Sequence, residues 1–194
     1  SDVATNGVQI FKSFPTITYT ASNGGVFTVG NVPLITVTIA ADSKGDVTMN
    51  RLTFNIATTT TTVISPTFTG PGGSVGTVSA PDANGNVVVS FNSVSNTSDA
   101  VIPAGSSKSY TFKGTTAFVS PATTGSVSIS LKGDTYAAVN TVSGLSTSNM
   151  IWSPESTTTS TATTNLDWAN GYGLGGCFTS AGLGNDCFAA TLAK

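Results

Sequence analysis

Histidine is absent from this 194-residue chain, and charge is scarce: seven Lys and Arg, nine Asp and Glu. Without histidine, a serine or cysteine nucleophile lacks its usual base. A zinc site lacks ligands too, since two cysteines alone cannot supply four. A lysine base is conceivable, but Ser107-Lys108 reads as the edge of a strand. Charged residues are 8% of the chain, where about 25% is ordinary. The net charge of −2 provides no basic field for nucleic acid or anionic lipid. No run approaches the roughly 18 apolar residues of a membrane-spanning helix. The expectation is therefore a protein that is not an enzyme, uses no cofactor or metal, binds no nucleic acid and does not insert in a membrane.

What remains is apolar or uncharged polar. Apolar residues make up 39%, enough for a core in a chain of this length. Disorder pairs low hydrophobicity with high charge, and this chain has the charge too low for that. Roughly three residues in ten are Thr or Ser. Thr suits a pleated strand because its branched Cβ packs well there. An exterior of Thr, Ser, Asn and Gly with little net charge favours contact with copies of the same chain over mutual repulsion. A sugar-coated secreted monomer is the other reading of such a surface.

Period-two alternation recurs along the chain, and no long stretch holds a helical period. Val8 to Phe14 is the first strand candidate, with Pro15 ending or offsetting it. Val26 to Val29 follows the Asn23-Gly24-Gly25 turn, a hairpin signal. Leu34 to Ala41 alternates clearly, with Ile35, Val37 and Ile39 on one side. Val47 to Ile56 changes phase midway, which predicts a bulge near Asn50-Arg51. Thr58 to Thr62 is a polar run. Ser74 to Ser79 and Val87 to Phe91 flank the Pro81 to Asn86 turn. Lys108 to Gly114 and Ser126 to Leu131 complete the pattern. Strands at short, turn-punctuated spacing predict an all-β, Ig-like antiparallel β-sandwich, with a closed barrel as the alternative. Its expected organisation is an N-terminal strand (1–16), a sandwich core (17–135), and an irregular C-terminal segment (136–194) anchored by Trp152 and Trp168.

Few residues invite a chemical role. Cys177 and Cys187 are the only cysteines and flank a glycine-rich stretch. They read as a disulfide closing a short loop, worth at most about 3 kcal/mol and implying an oxidising compartment. Two buried thiols are the other reading. Glu155 and Asp167 are the nearest thing to a glycosidase pair, and Trp152, Trp168 and Tyr172 beside them are candidate glycan contacts. The plainer alternative makes both tryptophans core anchors and both acids solvated. Asp82 to Asn86 resembles a calcium loop in the spacing of its oxygens but lacks the downstream bidentate acid, and Asp42 with Asp46 flank Lys44, whose charge opposes a cation, so both read as turns. Asn96-Thr97-Ser98 fits an N-glycosylation acceptor at Asn96, and the Thr-rich runs 58–62 and 156–164 fit O-glycan attachment. Lys12, Lys113 and Lys132 lie in strand-like contexts that would suit a lysine–asparagine crosslink.

Taken in order, Ile10-Phe11-Lys12-Ser13-Phe14-Pro15-Thr16, ITVTIAADSKGD from Ile35, MNRLTFNI from Met49, VIPAGSSKSYTFKG from Val101, VSISLKGD from Val127 and the IWS…LDWANGY pair from Ile151 resemble β-sandwich modules of secreted surface-layer-like and filament-forming proteins from bacteria with small genomes. The resemblance spans most of the chain. It implies a structural or adhesive role outside the cell and no catalytic residues. The Cys177–Cys187 loop is also similar to the C-terminal loop of type IV pilins, although the long apolar N-terminal helix of those pilins has no counterpart here.

The expected function is thus a structural subunit of an extracellular, cell-surface filament or layer, whose partners are copies of itself. Ser1-Asp2-Val3 reads as a terminus left after processing or as a point within a longer chain. The segment from Ser1 to Thr16 would pair with a neighbour's sheet edge, filling its groove with Val8, Ile10 and Phe14. The plainer reading makes that segment the domain's own first strand. The alternative function is a secreted carbohydrate-binding or adhesion module, with glycans as partners.

Overall fold

The computed structural model describes residues 11–91, 97–135, 137, 143–155, 168–174 and 186–194. The strands of its first half are β1 (Pro15–Ala21), β2 (Gly30–Ala41), β3 (Val47–Thr59), β4 (Thr61–Gly70), β5 (Gly73–Ser74), β6 (Thr77–Val78) and β7 (Asn86–Ser90). Those of the second half are β8 (Val101–Ile102), β9 (Ser107–Phe118), β10 (Ser126–Lys132), β11 (Ile151–Ser153), β12 (Ala169–Asn170) and β13 (Asp186–Ala193). A single helical turn, Thr97–Ala100, precedes β8.

Two antiparallel sheets pack face to face as a β-sandwich. One runs β1-β2-β9-β4-β5. The other is organised about β3, which pairs along one edge with β8 and β7 and along the other with β11 and β10. β13 extends it beyond β10, and β12 extends it beyond β11.

Alternation explains the layers. On β9, Tyr110 and Phe112 point inward and are fully buried while Ser109 and Thr111 face out. On β10, Val127, Ile129 and Leu131 are buried. The phase change in β3 is a bulge, as its sequence predicts: Met49 pairs with Trp152 and Arg51 with Ile151, so Asn50 is passed over. Val47 and Met49 before it, and Leu52, Phe54 and Ile56 after it, then all reach the core. A register shift at Pro33–Ile35 does the same for Leu34 and Ile35 on β2.

Phe68 of β4 lies at the centre of the core. It stacks on Tyr110 with ring centroids 5.4 Å apart and meets Phe54 at 5.6 Å and Phe91 at 6.1 Å. Such ring pairs add to the burial of their area. The Tyr110 hydroxyl donates to the Asp99 carbonyl at 2.6 Å. Burial, and secondarily the Asp99 charge, push the Tyr110 phenol well above its usual pKa.

Several expectations are corrected. Pro15 begins β1 instead of ending a strand, which proline tolerates at a strand's first residue. Ser22–Gly25 forms a 3-10 turn with Asn23 and Gly24 at positive φ. Val26 then makes one parallel bridge to Ala193 instead of opening a hairpin strand, and β1 pairs with β2. The Thr58–Thr62 run is the end of β3 and the start of β4. Thr60 turns there at φ 54. Its hydroxyl donates to the Thr124 carbonyl at 2.6 Å, and that of Thr61 to the Ser126 carbonyl at 2.7 Å. The C-terminal segment adds β13, a full strand of the second sheet.

Candidate assembly surface

The two ends of the sandwich differ. At one pole the turn Asp42–Asp46 meets the turn before β9: Asp42 accepts from the Gly105 N–H at 3.1 Å, and the Asp46 carboxylate from the Ala104 N–H at 2.8 Å. The N-terminal stretch docks here. The Ser13 hydroxyl donates to the Gly45 carbonyl at 2.6 Å, and the Lys12 methylenes lie where a Cβ on Gly45 would point. Phe11 and Phe14 rest on Trp152, with centroids 5.0 and 5.5 Å away. At the opposite pole β3 turns into β4, Gly125 exchanges backbone hydrogen bonds with Lys194, and the turn Asp82–Gly85 closes on Ile56.

The C-terminal segment is tied to the second sheet by Asp134, just past β10. Its carboxylate accepts the backbone N–H groups of Asn149, Met150 and Gly171 at 2.7 to 3.0 Å. Trp152 is fully buried and donates its indole N–H to the Asn170 carbonyl at 2.8 Å. Trp168 is buried with Leu145 and Ile151, and its indole N–H has no partner among the described residues. Neither indole shows a face to solvent, so neither offers a stacking surface to a sugar. Their burial is the core-anchor alternative. Tyr172 is the exposed ring of the three, at 53%.

The acids have structural work. Glu155 accepts from the Thr48 hydroxyl, and Asp167 lies outside the described residues. Asp82 is spent on its own turn: one carboxylate oxygen accepts from the Asn84 and Asn86 N–H groups, each at 2.8 Å, and the other from the Asn86 amide. These hydrogen bonds, above all those from Asn86, lower its pKa. The loop thus closes as an Asx turn, as its composition suggests. Cys187 is buried at the start of β13. Cys177, Val8, Ile10 and Asn96 lie outside the described residues.

Two surface features depend on strand register. The first is the outer face of the first sheet, where hydroxyl residues align across strands. Thr20, Thr36, Thr111 and Thr69 form one row through β1, β2, β9 and β4, and Thr18, Thr38 and Ser109 form the next. Thr38 and Ser109 share a hydrogen bond of 2.8 Å. The signal was present as Thr at every second position of β1 and β2, but alignment needs the register. The second is the outer edge of β4. β5 covers only Thr69 and Gly70, so Thr61 to Thr67 have β9 on one side and no strand on the other among the described residues. A groove of about 270 Å³ follows this edge, lined by Ile56, Thr58, Thr62, Val63, Ile64 and Pro81, among others. None of its lining residues is charged, and Ile64 is 58% exposed.

No protein-family model matches this chain, and the curated proteins contain no match to it. Fold and surface therefore carry the functional reading by themselves.

Proposed function

We propose that this chain is a structural subunit that associates with copies of itself in a filament or layer outside the cell. The charge-poor hydroxyl face of the first sheet carries the reading. A neighbour covering the Thr20–Thr36–Thr111–Thr69 row desolvates hydroxyls that can hydrogen-bond across the contact, whereas a charged face imposes a far larger penalty. Close to the rows, the outward positions of β9 are Ser107, Ser109, Thr111, Lys113 and Thr115, of which one is charged. The free edge of β4 adds a second mode of contact, because an unpaired strand invites another strand.

In this reading the segment ahead of Phe11 supplies a strand to a neighbour. Phe14 packs on its own subunit's Trp152, so the donated part is residues 1–10, with Val8 and Ile10 as its apolar anchors. A Cys177–Cys187 disulfide, glycans on Asn96 and an extracellular location belong to the same proposal. The adhesion alternative finds no support in the burial of Trp152 and Trp168.

Electron microscopy of the purified full chain tests the reading. Filaments or a lattice are expected, and they are expected to disperse when Val8 and Ile10 are both changed to Asp. Dispersed particles across the accessible concentration range would refute it.

A further inference from the structure

The two seams of the sandwich are closed to different extents. On the β1 side, Tyr19 of β1 stacks on Phe188 of β13 at 4.2 Å. Val26 bridges to Ala193, and the Phe27 N–H donates to the Ala193 carbonyl at 3.1 Å. That seam is filled by the chain's own residues. On the β4 side the groove remains open, next to a strand edge that no strand pairs among the described residues.

The open seam is at the pole opposite the N-terminal anchor. Phe11 sits on Trp152, which pairs with Met49 near the start of β3. The groove lies at Ile56 and Thr58, near the end of the same strand. From Met49 to Ile56 is about 23 Å at ~3.3 Å per residue. Val8 precedes Phe11 by only three positions, a reach of at most about 11 Å. That reach is about half the span to the chain's own groove.

We infer that the groove along Thr61–Ile64 of β4 receives the segment 1–10 of a second copy, so that subunits join head to tail. This rests on the self-association proposed above and specifies its acceptor and its polarity. Val8 and Ile10, two positions apart, fall on one face of an added strand. An added strand there would turn that face toward Val63 and Ile56, in a lining that holds no charge. The register shift between Ile64 and Thr67, with Ser65 at φ 50 and Pro66 next to it, stops regular pairing at Ile64. The added strand is therefore short, centred on Val8-Gln9-Ile10 just ahead of Phe11. Because donor and acceptor occupy opposite poles, the contact is heterologous and each added subunit presents a fresh groove, as fibre growth requires.

The test uses the full chain with Gln9→p-benzoylphenylalanine, assembled from equal parts of isotopically heavy and light protein and photolysed. Mixed heavy–light crosslinks from position 9 to residues 56–64 are expected. Mixed crosslinks to β1 or β13 instead would overturn the acceptor assignment while leaving self-association standing. Crosslinks confined to single copies, or none, would overturn the donor assignment, and electron microscopy of the same sample would show dispersed particles only if self-association fails as well. Separately, Ile64→Lys changes an exposed side chain, so the fold and its thermal midpoint are expected to persist while assembled mass falls at least about tenfold. Undiminished assembly of that variant would also overturn the assignment.

Discussion

The carboxylate of Asp134 accepts the backbone N–H of Gly171 at 3.0 Å, joining the end of β10 to a residue 37 positions later in the chain. The same carboxylate holds Asn149 and Met150. One side chain thus fixes two segments on the second sheet, each through a charge-assisted bond of the stronger kind.

Replacing Asp134 by Ala removes all three acceptor contacts and is expected to destabilise the fold by about 2–4 kcal/mol. Hydrogen exchange would locate the effect. The amides of Met150 and Gly171 should lose protection well before those of β2 and β9. Uniform loss across both sheets would show that the clasp is not local.

The two tryptophans make a matched pair of tests. Trp152 has its N–H bonded to the Asn170 carbonyl, and Trp168 has no partner for its own among the described residues. Trp152→Phe leaves a buried carbonyl unmet, whereas Trp168→Phe removes an unsatisfied donor. Urea denaturation is expected to show Trp152→Phe as the more destabilising by about 1–2 kcal/mol. Trp152→Ala is expected to cost about 3–5 kcal/mol and to free Phe11 and Phe14, which limited proteolysis near residue 12 would reveal.

Much of the sandwich was legible before any coordinates. β2, β9 and β10 show apolar residues at every second position, and the bulge in β3 was readable from the shift between Met49 and Leu52. β4 was not, because a Thr run followed by Ser65-Pro66 has the composition of a loop. Its strand character comes from pairing with β9 and from Phe68 finding Tyr110 and Phe54. β13 carries small residues, Ala189, Ala190 and Ala193, that fit beside β10 without announcing a strand. The tryptophans were equally open, since sequence cannot say whether an indole faces a sugar or a core. The opposed positions of the N-terminal anchor and the open groove depend on register across both sheets, which no local pattern encodes.

Gly85 turns at φ 78, and a Cβ there would stand 2.2 Å from the Ile56 carbonyl oxygen. That carbonyl is backbone and cannot swing aside. Gly85→Ala is expected to combine left-handed strain with this clash and to cost about 2 kcal/mol or more. The turn also supports the groove, so Gly85→Ala should weaken self-association more than Gly24→Ala. Gly24 has positive φ as well but meets nothing within 4 Å. Comparing the two variants by thermal melting and by sedimentation separates general turn strain from damage to the groove.

The last prediction concerns alkaline pH. Burial first, and Asp99 second, hold the Tyr110 phenol protonated above its usual range. A free tyrosine titrates near 10, so the unfolded chain begins to lose that proton at about pH 10 while the folded chain keeps it. The unfolded state then binds fewer protons, and stability falls as pH rises. Below about pH 10 the phenol is neutral in both states and its contribution is intact. Stability measured in urea should therefore decline above about pH 10. Tyr110→Phe should cost about 1–2 kcal/mol at neutral pH through the lost bond to the Asp99 carbonyl, and its decline above pH 10 should be shallower. Parallel pH profiles for the two proteins would refute the assignment to Tyr110.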